Sequence, residues 1–390
     1  CNDLFVSSFG MREALEAVRD SAAWKKKRSS GGKIRGQGKG IGVACGFFVS
    51  GAGYPIYRSK TFHCTVVTKV DEVGGGVTVS SGAADIGQGS DTMLAMITAE
   101  ELGLGLNDVR VASGDSNLSV DLGAYSSRTT LMTGHACREA ALDVKQQILE
   151  VVGGKLGRPP ETLDLKDGTV VSVEGEIDIS ELRKDYLDEH KGFLNLPDGP
   201  HLTFAEASRI AFLERGAIVG TGKYRPPKLG GTFKGATVGT SPAYGCSAQV
   251  AEVSVDSDTG EITVEKITGA HDCGFAINVT QVEGQMHGSM MMGMGEALME
   301  QIIYDKKGRI LNANLAEYKI PTAVDMPRLE AIIIESNEPH GPYGAKEVGE
   351  GAIMPVIPSI LNAIYDATGF RINELPVTPE RVVAAKIAAS

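Results

Sequence analysis

Val250-Ala-Glu-Val-Ser-Val-Asp-Ser-Asp-Thr-Gly-Glu-Ile-Thr-Val-Glu-Lys-Ile267 is the stretch that decides the fold class. Val253, Val255, Ile262 and Val264 alternate with polar residues on either side of the turn Ser257-Asp-Thr-Gly260, the pattern of a hairpin with one buried face. Then Gln281-Val-Glu-Gly-Gln-Met-His-Gly288 leads into a helix crowded with methionine and glycine. Each glycine costs a helix about 1 kcal/mol relative to alanine, so this helix must gain from the close approach of another backbone or a ligand. Further on, Leu329–Glu335 reads as a strand, 341–351 as a glycine-rich loop, and Ser359–Thr368 as a helix stopped by Gly369.

Upstream, Ile41–Ser50 and Thr65–Val70 are strand-like, and the second is joined to Val77–Ser81 through Gly74, Gly75 and Gly76. Thr92–Leu104 carries Met93, Met96, Ile97 and Leu104 on a helical period, with Ser90 or Asp91 as its cap. A strand at Asp108–Ala112, a polar loop and a helix from about Met132 to Val151 come next. The stretch 153–220 reads as structural, with an amphipathic piece around Phe204–Leu213. Strands and helices mixed without a βαβ rhythm predict an α+β fold of mixed sheets with packed helices. The expected organisation is an N-terminal helix and polar linker over 1–35, a first α+β subdomain over 36–222 and a second over 223–390.

A chain of 390 residues with 42% hydrophobic and 22% charged residues suits two or three packed units. A net charge of -11 argues against a nucleic-acid partner, which requires clustered Lys and Arg. The basic run Lys25-Lys26-Lys27-Arg28, beside Ser29-Ser30-Gly31-Gly32, reads as a solvated linker. No stretch approaches the ~18 to 20 apolar residues of a spanning helix, so no membrane partner is expected, and a cytoplasmic location is. Cys1, Cys45, Cys64, Cys137, Cys246 and Cys273 form no CxxC pair, which leaves zinc, iron–sulfur and disulfide readings unsupported. The opening Cys1, running straight into an amphipathic stretch, reads as a chain cut from something longer.

Four stretches share one grammar: Gly87-Gln88-Gly89-Ser90, Gly123-Ala-Tyr125-Ser126-Ser127-Arg128-Thr129, Gly284-Gln285, and Gly344-Ala-Lys346-Glu347-Val-Gly349-Glu350. Each joins glycine to amide, hydroxyl or charged groups, mostly at an expected helix N-terminus, where free N–H groups and the helix dipole favour an anionic ligand. Any one of them alone is equally readable as an ordinary capped turn. The phosphate fingerprint GxxxxGK[ST] and the elbow GxSxG are absent, and the run Gly36-Gln-Gly-Lys-Gly-Ile-Gly42 precedes a strand, so it reads as a linker. His63, His135, His271 and His287 lack HExxH spacing and read as structural. Glu350, between Gly349 and Gly351 and before the apolar run 352–358, is the candidate catalytic carboxylate, because partial desolvation would make it a better proton acceptor. A cap or salt-bridge role is the plainer alternative. Glu347 competes with it, and Lys346 is placed to neutralise one of the two.

These loops, in this order, resemble the xanthine oxidase family of molybdenum hydroxylases over nearly the whole chain, from about Arg35 onward. The resemblance implies a molybdenum–molybdopterin cofactor, as its cytosine dinucleotide, with no protein side chain bound to the metal. It implies that Gly87, Gln88, Gly89 and Ser90 contact the pterin or its phosphates, that Gly123, Tyr125, Ser126, Ser127, Arg128 and Thr129 cradle the pterin or nucleotide, and that Gly284 and Gln285 hold the pterin, with Lys346 and Gly349 beside it. Glu350 then stands as the base that deprotonates the hydroxyl attacking the substrate carbon. Within the family, 83–90, the Tyr-Ser-Ser-Arg loop and 341–347 are most similar to the large subunit of 4-hydroxybenzoyl-CoA reductase, implying reductive dehydroxylation of an aromatic CoA thioester. A hydroxylase of an aromatic, N-heterocyclic or aldehyde substrate is the near alternative, and a non-catalytic cofactor-binding or assembly module the distant one. The family's large subunit is about twice this length, which implies a companion N-terminal half, iron–sulfur and FAD-bearing partners, a small aromatic or heterocyclic substrate, and an oligomer.

Overall fold

The computed structural model describes residues 6–29, 38–51, 61–71, 75–173, 175–182, 199–226, 241–256 and 258–389. Of the sequence readings, Gly74, Ser257 and the run from Ser30 through Gly36 to residue 37 lie outside them. The chain forms two compact units, one of residues 51–242 with 340–342, the other of 2–50, 243–339 and 343–390.

The first unit is built on a sheet in the order β4-β3-β2-β7. Its strands are β2 (Cys64–Val70), β3 (Val77–Ser81), β4 (Val109–Ala112) and β7 (Val219–Tyr224); β3 and β4 run parallel, while β2 pairs antiparallel with both β3 and β7. The helices α3 (Ser90–Leu102) and α4 (Gly134–Leu156) pack beside the sheet, and a π-helical turn, Thr129–Thr133, leads into α4. A hairpin of β5 (Leu163–Lys166) and β6 (Thr169–Ser172), a short α5 (Ser180–Leu182) and α6 (Phe204–Arg215) complete the unit. Thr203 caps α6 reciprocally with Glu206. The close seat of β7 on α4 requires glycine: a Cβ at Gly220 or Gly222 would overlap the carbonyls of Ala140 and Ala136.

The second unit has the sheet order β1-β8-β9-β10, with β1 (Lys39–Val49), β8 (Tyr244–Val255) and β9 (Ile262–Asp272) antiparallel and β10 (Arg328–Ile334) parallel to β9. The expected hairpin is the centre of this sheet. Its period-two pattern sorts the two faces. Ala248 and Val250 pack with Ala14 and Val18 of α1 (Met11–Ser21), whereas Ala251, Val253 and Val255 share a core with α7 (Val279–Leu298) and α8 (Val356–Thr368). Gly369 takes the left-handed conformation that ends α8, and α9 (Pro379–Ala389) closes the chain.

Three expectations change. The strand expected to open the first subdomain at Ile41 is β1, which pairs with β8 and so belongs with the second unit; the division at 222/223 likewise moves to 242/243. Gly40 and Gly42 are not linker residues, since a Cβ on either would overlap the α8 backbone at Ala363 or Ser359. The basic run is not a solvated linker: it forms α2 (Trp24–Ser29), where Lys27 pairs with Glu252 at 2.5 Å and Arg28 pairs with Asp366 while lying over the Trp24 ring.

Candidate functional site

In the first unit two of the four expected loops lie at one end of a helix pair. Gly134 at the start of α4 packs on Met93 and Ile97, and further along Cys137 Sγ lies 3.2 Å from Thr98 Oγ1 and Arg138 reaches Glu101 at 2.5 Å. The two helices therefore run in the same direction and begin at the same end. Gly87 and Gly89 have φ of 108° and 79°, a conformation that favours glycine, and they turn the chain from β3 into α3.

The donors of this first loop are already engaged. The carboxylate of Asp85 accepts from the backbone N–H of Gly87 (2.9 Å), Gly89 (3.3 Å) and Asp91 (3.2 Å). Partial burial alone would push Asp85 upward, but these three hydrogen bonds together outweigh it and hold its pKa below the ordinary carboxylate value. Gln88 is turned onto its own loop, donating to Ala84 O and Ser90 Oγ while its Oε1 accepts from Ile86 N–H. As the loop stands, Asp85 occupies the anion position expected for a ligand, and Ser90 is buried beneath it.

The second loop repeats the device. Asp121 accepts from Gly123 N–H at 2.8 Å, and Ser126 and Ser127 follow with φ of 55° and 47°, consecutive left-handed residues that are costly outside glycine. Arg128, expected to meet the cofactor, is buried instead. Its guanidinium bonds Asp121 Oδ1 (2.7 Å), Gly123 O (2.7 Å) and His63 O (2.9 Å), so its fork is spent on shaping the loop. Tyr125 lies against that guanidinium, and Thr129 is buried at the start of the π-helical turn. The half-buried stretch from Gly123 to Ser127 is what the loop offers a ligand. The two aspartates were missed in the sequence, although Asp two residues before Gly is a legible turn signal.

In the second unit the structure brings Gln285 and Glu350 to one neighbourhood. Asn278 caps α7, so the helix begins at Val279, and Gly284 and Gln285 lie in its second turn, not at its N-terminus. One turn beyond Gln285 on the same face, Ser289 Oγ donates to Gly349 O at 3.0 Å and ties the helix to the loop bearing Glu350. Met286, Met290 and Met294 are buried on the core side, and Gly293 meets Val356 of α8. Among the described residues, nothing beyond their own stretch of helix comes within 4 Å of where a Cβ on Gly284 or Gly288 would stand. Beside Gln285, that bare strip of helix gives room for a flat polar group to approach the backbone, and it is the feature here that best fits a pterin.

Glu350 is exposed, so this chain does not supply the desolvation expected for it; that environment belongs to Glu347. Burial pushes the Glu347 carboxyl up to about 8, against a hydrogen bond from Gly351 N–H. Lys346 neutralises neither glutamate and has no donor left for a cofactor. It is fully buried, and its ammonium bonds Asp272 Oδ2 (2.7 Å), Ser8 Oγ (2.8 Å) and Ser336 Oγ (3.1 Å), three acceptors for three protons. Asp272 in turn accepts from the N–H groups of Gly10, Gly274 and Ser336. Lys346 and Asp272 thus fasten residues 8–10 to β9 and the loop that carries Glu350, within the second unit.

Each unit thus offers a candidate cofactor-holding feature: in the first, glycine-bearing loops held by Asp85 and by the buried Asp121–Arg128 pair, and in the second, the helix strip at Gly284 and Gly288. Residues 17–327 match the family model described as molybdopterin cofactor-binding domain, and the chain belongs to that family. It is 34% identical over 384 residues to the putative xanthine dehydrogenase molybdenum-binding subunit XdhA of Escherichia coli (strain K12), covering 97% of this chain and 46% of that protein. It is 29% identical to the nicotine 6-hydroxylase large subunit of Paenarthrobacter nicotinovorans, over 96% of this chain and 43% of the relative. The fold matches that of quinoline 2-oxidoreductase from Pseudomonas putida 86 with a TM-score of 0.80 at 24% identity, over 97% of this chain and 46% of that one. The resemblance to the xanthine oxidase family and the α+β expectation are borne out, and the chain spans about half the length of these relatives. Among the described residues, no helix is long and apolar enough to cross a membrane.

Proposed function

We propose that this chain is the cofactor-holding, base-bearing half of the catalytic subunit of a molybdenum hydroxylase. When bound, the molybdenum–pterin group supplies the two-electron redox chemistry. The chain's own residues do the rest. Gln285 and the bare strip at Gly284 and Gly288 hold the pterin, the half-buried loop of Gly123, Tyr125, Ser126 and Ser127 holds the anionic part of the cofactor, as a cytosine dinucleotide, and Glu350 accepts the proton at its carboxylate oxygen. The observation that carries this reading is the tether from Ser289 to Gly349, which keeps Glu350 beside the helix that presents Gln285.

Substrates named in the relatives favour oxidative hydroxylation of an N-heterocycle such as a purine or pyridine, with an aldehyde as the second class. None of these names is an aromatic CoA thioester, so the dehydroxylation implied by the loop wording is the weaker reading. A companion segment supplying the other half of the subunit is part of the proposal, together with iron–sulfur and flavin partners that carry away the electrons. Between α7 and β10, Ile302, Leu311, Leu315, Ile320 and Val324 are among the apolar side chains that lie exposed, and the missing half is the partner proposed to cover them.

Glu350→Gln in the assembled enzyme removes the proton acceptor while keeping its shape. Turnover is expected to fall by at least 10²-fold, the lower range for general-base loss, with molybdenum and released cytosine nucleotide unchanged. Turnover at the wild-type rate would remove Glu350 from the mechanism.

A further inference from the structure

Glu347 is an ionisable anchor of the turn that carries Glu350. Four hydrogen bonds among the described residues pin that turn, 349–352. Ser289 Oγ donates to Gly349 O (3.0 Å), Ser247 Oγ to Gly351 O (2.8 Å), Gln249 Nε2 to Ala352 O (2.6 Å), and Gly351 N–H donates to Glu347 Oε2 (3.1 Å). Three of these anchors are neutral groups. The fourth is a carboxyl with no exposure to solvent. Its side chain is clamped between the backbones of Gly245 and Gly351, where a Cβ on either glycine would collide with it. The Glu347 backbone is held at both ends as well, with N–H donating to Ser50 Oγ (3.0 Å) and O accepting from His271 Nε2 (2.8 Å).

The surroundings decide the protonation state of this carboxyl. Its Oε1 is buried without a hydrogen-bond partner, an expensive position for an ionised oxygen. His271 Nε2 lies 3.3 Å from Oε1, but its proton is committed to the Glu347 carbonyl, and burial pushes the His271 pKa down to about 4, leaving the ring neutral. Lys346 is turned to Asp272 and two hydroxyls. The other groups that face Glu347 are Asp272 on β9, Cys246 on β8 and Glu350 itself, none of them a cation. Among the described residues the one cation that acts on Glu347 is Lys346, and its pairing with Asp272 leaves it only a partial offset to an anion here.

We propose that Glu347, as a neutral acid, is a positioning residue that sets the turn carrying Glu350 and keeps Glu350 the only carboxylate charge on it. The inference rests on the reading of Glu350 as the base. Ionising Glu347 would put a buried, only partly compensated negative charge inside the turn and set it against Glu350. Because burial raises Glu347 to about 8, the neutral form holds at neutral pH and is lost as pH rises through that value.

The test uses the assembled, cofactor-loaded enzyme with Glu347→Gln, permanently uncharged and of the same shape, and Glu347→Ala. Infrared spectra of wild type should contain a buried protonated-carboxyl band that disappears through about pH 8 and is missing from Glu347→Gln. In kinetics, wild type should lose kcat over the same range, Glu347→Gln should keep neutral-pH kcat without that alkaline loss, and Glu347→Ala should lower kcat on the order of 10²-fold with KM little changed, the scale of a small misplacement of a reacting group. Amide exchange of the peptide spanning Gly351 should be faster in Glu347→Ala and unchanged in Glu347→Gln. A band that persists in Glu347→Gln, or exchange at Gly351 indifferent to Glu347→Ala, would overturn the inference. Either result is independent of Glu350→Gln, whose full activity would sink the base assignment while leaving the infrared and exchange results to judge Glu347.

Discussion

The loops at Asp85–Ser90 and Asp121–Thr129 begin with the same device and end with different mechanical character. In each, an aspartate accepts the N–H of the glycine two residues on, at 2.9 Å and 2.8 Å. Asp85 then gathers only further backbone donors, and its loop is mostly exposed. Asp121 is instead sealed against Arg128, with Thr133 Oγ1 on its second oxygen, and both charged side chains are only 1% exposed. The first loop is a cap that a competing anion can reach; the second is a rigid former for the left-handed Ser126–Ser127 pair. A loop held by a desolvated ion pair keeps its shape before the ligand arrives, whereas a loop held by its own exposed carboxylate can exchange that partner for the ligand.

Breaking the rigid member should have the largest effect. Arg128→Ala leaves Asp121 buried without its cation, and removal of one partner from such a pair costs about 3–5 kcal/mol. Chemical denaturation should show that loss in the first unit, and a change below 1 kcal/mol would mean that the ion pair does not hold the loop. Arg128→Lys should recover only part of it, since an ammonium cannot serve Asp121, Gly123 O and His63 O from one planar fork. The softer loop should respond less. Asp85→Ala removes a cap of α3 and is expected to cost about 1 kcal/mol, read as a lower melting temperature. If the two substitutions proved equal, the contrast between the loops would be lost.

How far this was legible beforehand depends on the range of the interaction. The hairpin around Gly260, the stop of α8 at Gly369 and the helix at Ser90–Leu102 are written in neighbouring residues, by period and turn chemistry, although that helix has Gly89 as its N-cap and not the expected Ser90 or Asp91. The partner of β1 is not: Ile41 pairs with Glu252, and nothing local to residue 41 distinguishes that strand from one in the first unit. Site residues divide the same way. Gln285 and Glu350 were named from glycine-flanked motifs, and the chain does draw their elements together. Lys346 and Arg128 look like ligand-binding cations in any motif, because their saturation depends on Ser8, Asp272, Ser336 and Asp121, of which Ser8 and Asp272 are remote in sequence. Glu347 and Glu350 differ by three positions and by complete reversal of burial, which only the packing of β8 and β9 around residue 347 determines.

Acid offers the gentlest way to separate the two loops. Asp85 has a folded pKa below its ordinary value, so its contribution to stability is fully present above the unfolded carboxylate value and is lost as pH falls through the folded one. The loss should therefore appear below about pH 4, where an unfolded aspartate protonates, and should be small, because the side chain is largely in solvent and screened. Amide exchange at Gly87, Gly89 and Asp91 is the sensitive measurement, since those three N–H groups lose their charged acceptor together. They should lose protection before the global transition, and Asp85→Asn should abolish the pH dependence while keeping one acceptor oxygen. Protection that stayed constant to the point of global unfolding would mean that the Asp85 carboxylate is not what closes the loop, and that its donors find another partner.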